Sequence, residues 1–223
     1  MRLSSKTVTL SQKIVVTIIK PLYHIFLSWE VRGRKNVPSS GPLIVASNHV
    51  HVIDGELLLF GVSRWITFIA KEPLFHYPVL GALLRWAQTL MVSRQRTLSD
   101  IKGLLQQVEQ TLNKGSVIGI FPEGKRSHQG KLQAGKPGLA VLASRMHIPI
   151  LPVGISGTDK IHGISWLWKR PHIIINIGKP FYLPQAEGRL TKPQRKALAD
   201  LMMHGIAALL PPEYQGVYAE HGD

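Results

Sequence analysis

The chain has 223 residues, with 27 lysines and arginines against 13 aspartates and glutamates, so its formal net charge is +14. It contains no cysteine, which excludes a disulfide framework, a cysteine-type zinc site and a thiolate nucleophile. A hydrophobic content of 44% excludes a disordered chain, and a mean hydropathy of +0.06 excludes a protein with many membrane spans. The composition predicts a basic domain with a packed core, whose partners carry phosphate: nucleic acid, anionic lipid or a phosphorylated small molecule.

Residues 7–31 form an apolar stretch that two lysines, a proline and a glutamate interrupt. No charge-free window reaches the ~18 residues that a spanning helix needs, and the stretch does not suit a signal peptide. It predicts two short amphipathic helices, hinged at Pro21, that lie in a membrane surface. The alternative is an ordinary helix that covers the core. The expected division of the chain is a helical element (1–36), an α/β domain (37–212) and a tail on the surface (213–223).

From residue 41 onward, short β-rich runs alternate with helical patterns. The predicted buried strands are 43–47, 66–70, 117–121, 150–155 and 172–178. The predicted helices are 55–62, 78–87, 97–113, 137–146 and 191–210. Because strands separated by helices need crossover connections, the pattern predicts an α/β fold with a mostly parallel central sheet flanked by helices.

A polar cluster, SNHVHVID, follows the first predicted strand and ends at residue 54. On one straight helix His49 and Asp54 would lie about 140° apart, so they can meet only if His49 occupies the turn and Asp54 the first helical turn. A carboxylate that holds one imidazole nitrogen leaves the other able to accept a proton. The bare spacing is weak evidence, since Asp54 could cap the helix and His49 could bond to backbone.

The same cluster admits a metal site, because His49, His51 and Asp54 offer three ligands within a short segment. The other histidines show no second clustered pair of ligands. We therefore expect no metal, and we interpret His51 as part of the local structure. A metal-dependent hydrolase stays open as an alternative.

A second cluster, IGIFPEGKRSHQGK, follows the third predicted strand. Pro122 and Gly124 predict a sharp loop that presents Glu123, Arg126 and Ser127 over the sheet edge. An arginine fork beside a hydroxyl and loop amides suits a phosphate, although the glycine spacing of a P-loop is absent.

Two further cations, Lys71 and Arg94, also come directly after β-rich runs. A single surface lysine is more often a solvated charge than a ligand. With Arg126 these two residues make three cations, each after a β-rich run, and they indicate a shared anion site at one edge of the sheet.

Four motifs occur in order: N-H-x4-D at 48–54, K-E-P-L-F-x-x-P-x-x-G at 71–81 with Arg94 after it, F-P-E-G-x-R-S at 121–127, and I-P-I-L-P-V at 148–153. Their order resembles the four sequence blocks of the glycerolipid acyltransferase family, which includes the 1-acylglycerol-3-phosphate acyltransferases. The resemblance covers roughly residues 40–180. Four ordered motifs are far more specific than any one of them.

The resemblance implies that a fatty acyl group moves from a thioester, acyl carrier protein or acyl-coenzyme A, to the sn-2 hydroxyl of lysophosphatidic acid, giving phosphatidic acid. It implies that His49 is the general base and that Asp54 orients it, with no cofactor. It implies substrate-binding roles for Lys71, Arg94, Glu123, Gly124, Arg126 and Ser127. The three cations of this set would surround the acceptor phosphate, and the others would shape the pocket.

Family members are similar to this chain in carrying an amino-terminal two-helix element in the membrane surface. The resemblance therefore implies an anionic membrane surface as a partner and a peripheral or monotopic location on the cytoplasmic face of the cell membrane. Two residues depart from the family pattern: Lys125 stands where threonine is usual, and His51 where serine is frequent. These departures put the acceptor in question more than the reaction.

The residues themselves favour direct attack by an acceptor hydroxyl, because without cysteine or a Gly-x-Ser-x-Gly elbow no nucleophile for a covalent acyl-enzyme is evident. Three alternatives remain: another lysophospholipid as acceptor, a non-catalytic basic module that binds membranes, and the metal-dependent hydrolase. Nucleic acid is not an expected partner, because aromatic residues make up only 7% of the chain and no RNA-binding motif accompanies the charge.

Overall fold

The computed structural model describes residues 9–93, 95, 97–161, 163 and 166–219. The strands are β1 (Ser28–Arg32), β2 (Leu43–Ser47), β3 (Ile66–Lys71), β4 (Leu90–Val92), β5 (Val117–Ile120), β6 (Ile150–Ser156) and β7 (His172–Ile177). The helices are α1 (Leu10–Phe26), α2 (Asp54–Gly61), α3 (Pro78–Trp86), α4 (Leu98–Asn113), α5 (Gly138–Arg145), α6 (Trp166–Lys169) and α7 (Lys192–Ala207). Every predicted strand and helix downstream of residue 41 is confirmed, with ends that differ by a few residues.

The strands form one seven-stranded sheet in the order β1-β7-β6-β2-β5-β3-β4. All neighbours pair in parallel except β6 and β7, which are antiparallel. Strands β6, β2, β5, β3 and β4 therefore share one direction, and the β1–β7 pair runs the other way. The predicted α/β fold with a mostly parallel sheet is confirmed.

Helices cover both faces of the sheet, and the alternation of side chains along β2 shows how. Ile44 and Ala46 belong to the core beneath α4, α5 and α7, whereas Leu43 and Val45 belong to the core beneath α2. All four side chains are completely buried. Because successive strand residues point to opposite faces, a central strand covered on both sides must be apolar throughout.

The prediction of two amino-terminal helices is wrong in its second half. α1 continues through Pro21, and residues 28–32 form β1, which pairs in parallel with β7. Trp29 and Val31 pack against the core beneath α2, so this segment follows the two-residue period of a strand. The sheet thus begins before residue 36, and the proposed domain boundaries stay a prediction.

The described part of the expected surface extension, residues 213–219, packs against the domain instead, and residues 220–223 lie outside the described residues. Residues 212–214 and 216–218 make two short 3-10 turns, and the rings of Tyr214 and Tyr218 are buried in the core beneath α7. Aromatic rings of this size stabilise a core by burial, which is why the segment packs. The strand β4 was also not predicted, since it has only three residues.

Candidate active site

The polar residues singled out in the sequence follow strands that end at one edge of the sheet. His49 follows β2, Lys71 ends β3, and Glu123 follows β5. These strands are parallel neighbours, so their carboxyl ends meet, and this is where ligands bind in open α/β sheets.

His49 and Asp54 converge in the predicted way. Asp54 begins α2, and its Oδ2 lies 2.9 Å from Nδ1 of His49. The Asp54 side chain is 1% exposed and that of His49 is 19% exposed. A carboxylate only accepts, so Nδ1 donates to it and Nε2 is left as the nitrogen that can take a proton.

The Asp54 carboxylate also fixes the turn that carries the histidine. Its Oδ2 accepts hydrogen bonds from the backbone amides of Val50 and His51, both at 2.7 Å. The N-cap of α2 is Ile53, so Asp54 is not the capping residue, and its hydrogen bonds go to the turn before the helix. Three donors hold one oxygen, which locks the imidazole against a preformed loop.

Phe121 supports the histidine from another side and was not predicted from the sequence. Its ring stacks on that of His49 with centroids 4.0 Å apart and an interplanar angle of 16°. Phe68 lies 6.2 Å from Phe121, also stacked. Phe121 begins the motif at 121–127 and follows β5 directly, but neither signal reveals which ring it meets.

Glu123 is a buried carboxylate that joins two loops. Its Oε1 accepts from the amide of His49 at 2.9 Å, and its Oε2 accepts from the amide of Gln133 at 3.0 Å. Burial raises the pKa of Glu123, and the two backbone hydrogen bonds pull the pKa back only in part. The side chain therefore ties the histidine turn to the loop that carries Gln133, and its role in substrate binding stays a prediction.

Asn48 ties the turn to the other neighbouring strand. Its amide donates to the carbonyl of Ile155 and accepts from the amide of the same residue, both at 2.8 Å. The side chain is buried, and its paired bonds replace a β-ladder contact where β2 ends. The motif contained Asn48, but the sequence did not show this partner.

Ser127 and Gly124 order the loop that follows β5. The amide of Ser127 donates to the carbonyl of His49 at 2.7 Å, and its hydroxyl donates to the carbonyl of Lys131 at 2.6 Å. Gly124 has a φ of +71°, a conformation that favours glycine. Both residues hold backbone in place beside the histidine.

A cavity of about 860 Å³ lies beside this turn. Its lining includes four cationic side chains: Lys71, Lys125, Arg126 and Lys131. Ser127 also lines it and bonds to the backbone of His49, so His49 stands next to the cavity rather than in its wall. Clustered cations lower the energy of an anion between them. Arg94, predicted here as well, lies outside the described residues.

The three possible metal ligands of the first cluster are engaged in local structure. Nδ1 of His51 accepts from the amide of Ile53 at 3.5 Å, which agrees with the interpretation of His51 as a local residue. In the part of the chain that the structure describes, no three histidine or acidic side chains form a group able to hold a metal ion.

Comparison with known proteins identifies the family to which this site belongs. A protein-family model described as acyltransferase matches residues 28–156, from β1 to the end of β6 and including the His49–Asp54 pair. This match covers more than half of the chain, so the chain belongs to the acyltransferase family.

Related proteins share one activity in their names. The chloroplastic 1-acyl-sn-glycerol-3-phosphate acyltransferase of Brassica napus is 30% identical over 169 residues, which are 73% of this chain and 47% of that protein. The alpha enzyme of Homo sapiens is 32% identical over 65% of this chain and 50% of its own length. The chain thus spans about half the length of the curated relatives it matches.

A solved structure gives the same picture of the fold. The 1-acyl-sn-glycerophosphate acyltransferase PlsC of Thermotoga maritima aligns with a TM-score of 0.66 at 26% identity, over 88% of this chain and 78% of that one. The α/β architecture and the resemblance stated from the sequence motifs are therefore confirmed together.

Proposed function

We propose that this protein transfers a fatty acyl group from acyl carrier protein or acyl-coenzyme A to the sn-2 hydroxyl of lysophosphatidic acid. The observation that carries the proposal is the His49–Asp54 hydrogen bond of 2.9 Å beside a cavity lined with cations. The names of the related enzymes support lysophosphatidic acid as acceptor.

The chemistry needs a base and a positioned acceptor. An alcohol proton is too weakly acidic to leave first, so Nε2 of His49 takes it as the hydroxyl oxygen bonds to the thioester carbon. The carbon–sulfur bond then breaks, and the imidazolium returns the proton to the departing thiolate. The buried Asp54 carboxylate stabilises the imidazolium in between, and no covalent acyl-enzyme forms.

The cations provide the acceptor site. We assign the phosphate monoester of the acceptor to Lys71, Arg94 and Arg126, with Lys125 as an additional cation at the same cavity. Arginine binds two phosphate oxygens at once, while lysine contributes a compact charge. Glu123, Gly124 and Ser127 hold the backbone of the loop that carries Lys125 and Arg126, which leaves these two cations free to touch substrate.

The acceptor and product are lipids, and the surface offers a place for a membrane. Within the described residues, no helix has both the length and the apolar character to cross a bilayer. Exposed apolar side chains instead cluster on two touching helices: Ile14 and Ile18 on α1, and Val79, Leu80 and Leu83 on α3. The helices touch through Gln12, whose amide donates to the carbonyl of Trp86 at 3.4 Å.

This apolar surface supports peripheral or monotopic binding to the anionic, cytoplasmic face of the cell membrane. Apolar side chains enter the boundary between headgroups and acyl chains, and basic residues add about 1 kcal/mol each near anionic lipid. Binding of this kind would bring the acceptor to the site without removing it from the membrane.

The direct test is thiol release from an acyl thioester by the purified protein in mixed micelles, with and without lysophosphatidic acid. We expect release that depends on the acceptor and that is lost in His49→Ala. His147→Asn is the matched control, because His147 is exposed and precedes the amino end of β6, at the opposite edge of the sheet. Parallel assays with acyl carrier protein and coenzyme A thioesters identify the donor.

Other outcomes would replace the proposal. Release that ignores the acceptor indicates a thioesterase, and release with a different lysophospholipid identifies that lipid as the acceptor. Binding to membranes without any thiol release indicates a non-catalytic module. Activity that a chelator removes and a metal restores indicates the hydrolase.

A further inference from the structure

The segment 211–219, here called the clasp, lies against the loop 127–135, here called the acceptor loop. The amide of Leu132 donates to the carbonyl of Tyr214 at 2.8 Å, and the amide of Val217 donates to the carbonyl of Leu132 at 3.2 Å. At Gly216, which has a φ of +54°, a Cβ would come within 2.1 Å of the Leu132 oxygen. A residue with a side chain therefore does not fit at position 216, because the two backbones lie too close together there.

One tyrosine hydroxyl fastens this contact, and a second anchors the clasp to the residues that follow β6. Tyr218 accepts from the amide of Gly135 at 3.2 Å and donates to Oδ1 of Asp200 on α7 at 3.0 Å. Tyr214 likewise accepts from the amide of Gly157 and donates to Asp159, just after β6. Each hydroxyl thus joins a backbone amide to a carboxylate, and both of its bonding roles are used.

The acceptor loop leads directly to the histidine. Gln133 donates from its amide to Glu123, and the other oxygen of Glu123 accepts from the amide of His49. At the other end of the loop, Ser127 bonds through its amide to His49 and through its hydroxyl to Lys131. A shift of the loop would therefore move both Lys131, which lines the cavity, and the turn that carries His49.

The clasp also borders the cavity itself. Glu213 and Val217 line it together with Lys71 and Arg126. Within the described lining, Glu213 is the one carboxylate among several cations, so a phosphate is repelled from the clasp and drawn toward the cations. Val217 is 68% exposed and offers an apolar surface next to them.

We propose that the clasp is part of the acceptor site: it forms one wall for the glycerol part of the headgroup, Tyr218 is a positioning residue that holds the acceptor loop, and Tyr214 is a positioning residue that holds the clasp. The assignment of the headgroup rests on the proposed function. The hydroxyls act at a distance from the reacting atoms. That of Tyr218 acts through the loop that carries Lys131 and meets Glu123, and that of Tyr214 acts through the clasp, whose backbone bonds to Leu132 of this loop.

The test removes only the hydroxyls, in Tyr214→Phe and Tyr218→Phe, so that both rings stay packed. Tyr182→Phe is the matched control, because Tyr182 is half exposed and stacks on His147, away from the cavity. In the full chain we expect the KM for lysophosphatidic acid to rise about three- to tenfold, because each variant loses both hydrogen bonds of its hydroxyl and part of that loss reaches the acceptor loop. The KM for the thioester should stay unchanged in both variants. Tyr182→Phe should keep both KM values of the unaltered protein.

Binding of lysophosphatidic acid by calorimetry gives a readout that does not need turnover. Its Kd should rise by the same factor in both variants, and hydrogen exchange at Gly135 should accelerate in Tyr218→Phe. If the unaltered protein transfers acyl groups but the variants keep its KM and Kd, the clasp proposal is wrong and the function stands.

The reverse result is equally distinct. If lysophosphatidic acid binds, and binds more weakly to both variants, but no acyl group moves, the clasp proposal stands and the proposed function fails. If both variants lose only folding stability and kcat, their tyrosines are structural and the proposal is overturned. Absence of lysophosphatidic acid binding to the unaltered protein overturns both.

Discussion

The oxygen Oδ2 of Asp54 accepts three hydrogen bonds, from the imidazole of His49 and from two backbone amides. This one oxygen therefore both orients the imidazole of His49 and fixes the turn that carries it. An asparagine at this position would direct either its oxygen or its amide hydrogens at these donors, and its oxygen carries no charge to stabilise an imidazolium.

We therefore expect Asp54→Asn to lower kcat by about 10²- to 10⁴-fold, the range for loss of general-base catalysis. The KM for the acceptor should change little, because the cations stay in place. Steady-state thiol release measures both. Asp100→Asn is the control, since Asp100 is half-buried and belongs to the capping box of α4, with no contact to His49; an equal loss in both variants would contradict the role of Asp54.

Prediction at the scale of single residues succeeded where the partners are close in sequence. His49 and Asp54 are five positions apart, so the turn and the first helical turn determine their contact. Asn48 and Ile155 are separated by 107 positions, and Phe121 meets His49 only because β2 and β5 are neighbours. No local pattern carries such a pairing.

At the scale of elements, Arg64 links the segments that lead into two central strands. Its guanidinium donates to the carbonyls of Gly41 at 2.5 Å and Gly115 at 2.9 Å, just before β2 and β5. The residue is 3% exposed, and burial lowers its pKa. The two carbonyls would be left without this donor if the guanidinium were removed.

Arg64→Met, which keeps the apolar stem, should lower the free energy of unfolding by about 1–3 kcal/mol, the range for loss of hydrogen bonds from a charged donor. Urea unfolding followed by circular dichroism measures the change. Arg189→Met replaces an exposed arginine and should leave the midpoint in place. A midpoint in Arg64→Met that equals that of the control would show that the carbonyls do not need the guanidinium.

We expect Tyr214 in the clasp to make the free energy of unfolding depend on pH. Burial and the hydrogen bond to Asp159 raise the pKa of Tyr214 from 10.0 to about 12. Because the pKa in the folded state lies above that of the unfolded state, the stability contributed by the neutral phenol is complete below pH 10. It is lost as the pH rises through 12.

Tyr214→Phe should therefore lose less stability than the unaltered protein between pH 10 and pH 12. Urea midpoints at intervals across this range measure the two slopes. Curves that run parallel over the whole range would mean that Tyr214 ionises equally in the folded and unfolded states, contrary to the burial of its ring.

Among the elements, those with a strong local period were predictable and those without one were not. α4 shows its capping box, in which Thr97 and Asp100 bond reciprocally, directly in the sequence. β1 was mistaken for a helix because it is half covered and short, and its Ser28–Arg32 segment becomes a strand through pairing with β7. Such pairing is a tertiary effect that overrides local propensity.

At the scale of the whole molecule, the proposed membrane binding depends on two features, the net charge of +14 and the exposed apolar side chains of α1 and α3. Ile18 is 61% exposed on α1. Leu201 is 47% exposed on α7, which covers the other face of the sheet. Substitutions at these two residues therefore test whether membrane binding depends on the apolar side chains of α1 or on any exposed apolar residue.

Ile18→Asp should weaken binding to vesicles of phosphatidylglycerol and phosphatidylcholine by about tenfold or more, because an apolar contact is lost and a negative charge meets anionic lipid. Leu201→Asp should bind like the unaltered protein. Vesicle sedimentation measures both, and 1 M salt should reduce all binding. Equal weakening by the two substitutions would argue against α1 as the membrane surface.

The sequence by itself determined the class of fold, the order of its central strands and helices along the chain, the His49–Asp54 pair and the family. These depend on local periods, on short spacings and on motifs that stand in order. Each can be recognised without knowing what lies opposite in space.

Only the tertiary structure decided that β1 joins the sheet, that Phe121 and Asn48 support the histidine turn, and that the clasp closes on the acceptor loop. Each of these depends on contacts between segments far apart in the chain. Their energy comes from burial and from hydrogen bonds that exist only once the sheet has assembled, so no local pattern records them.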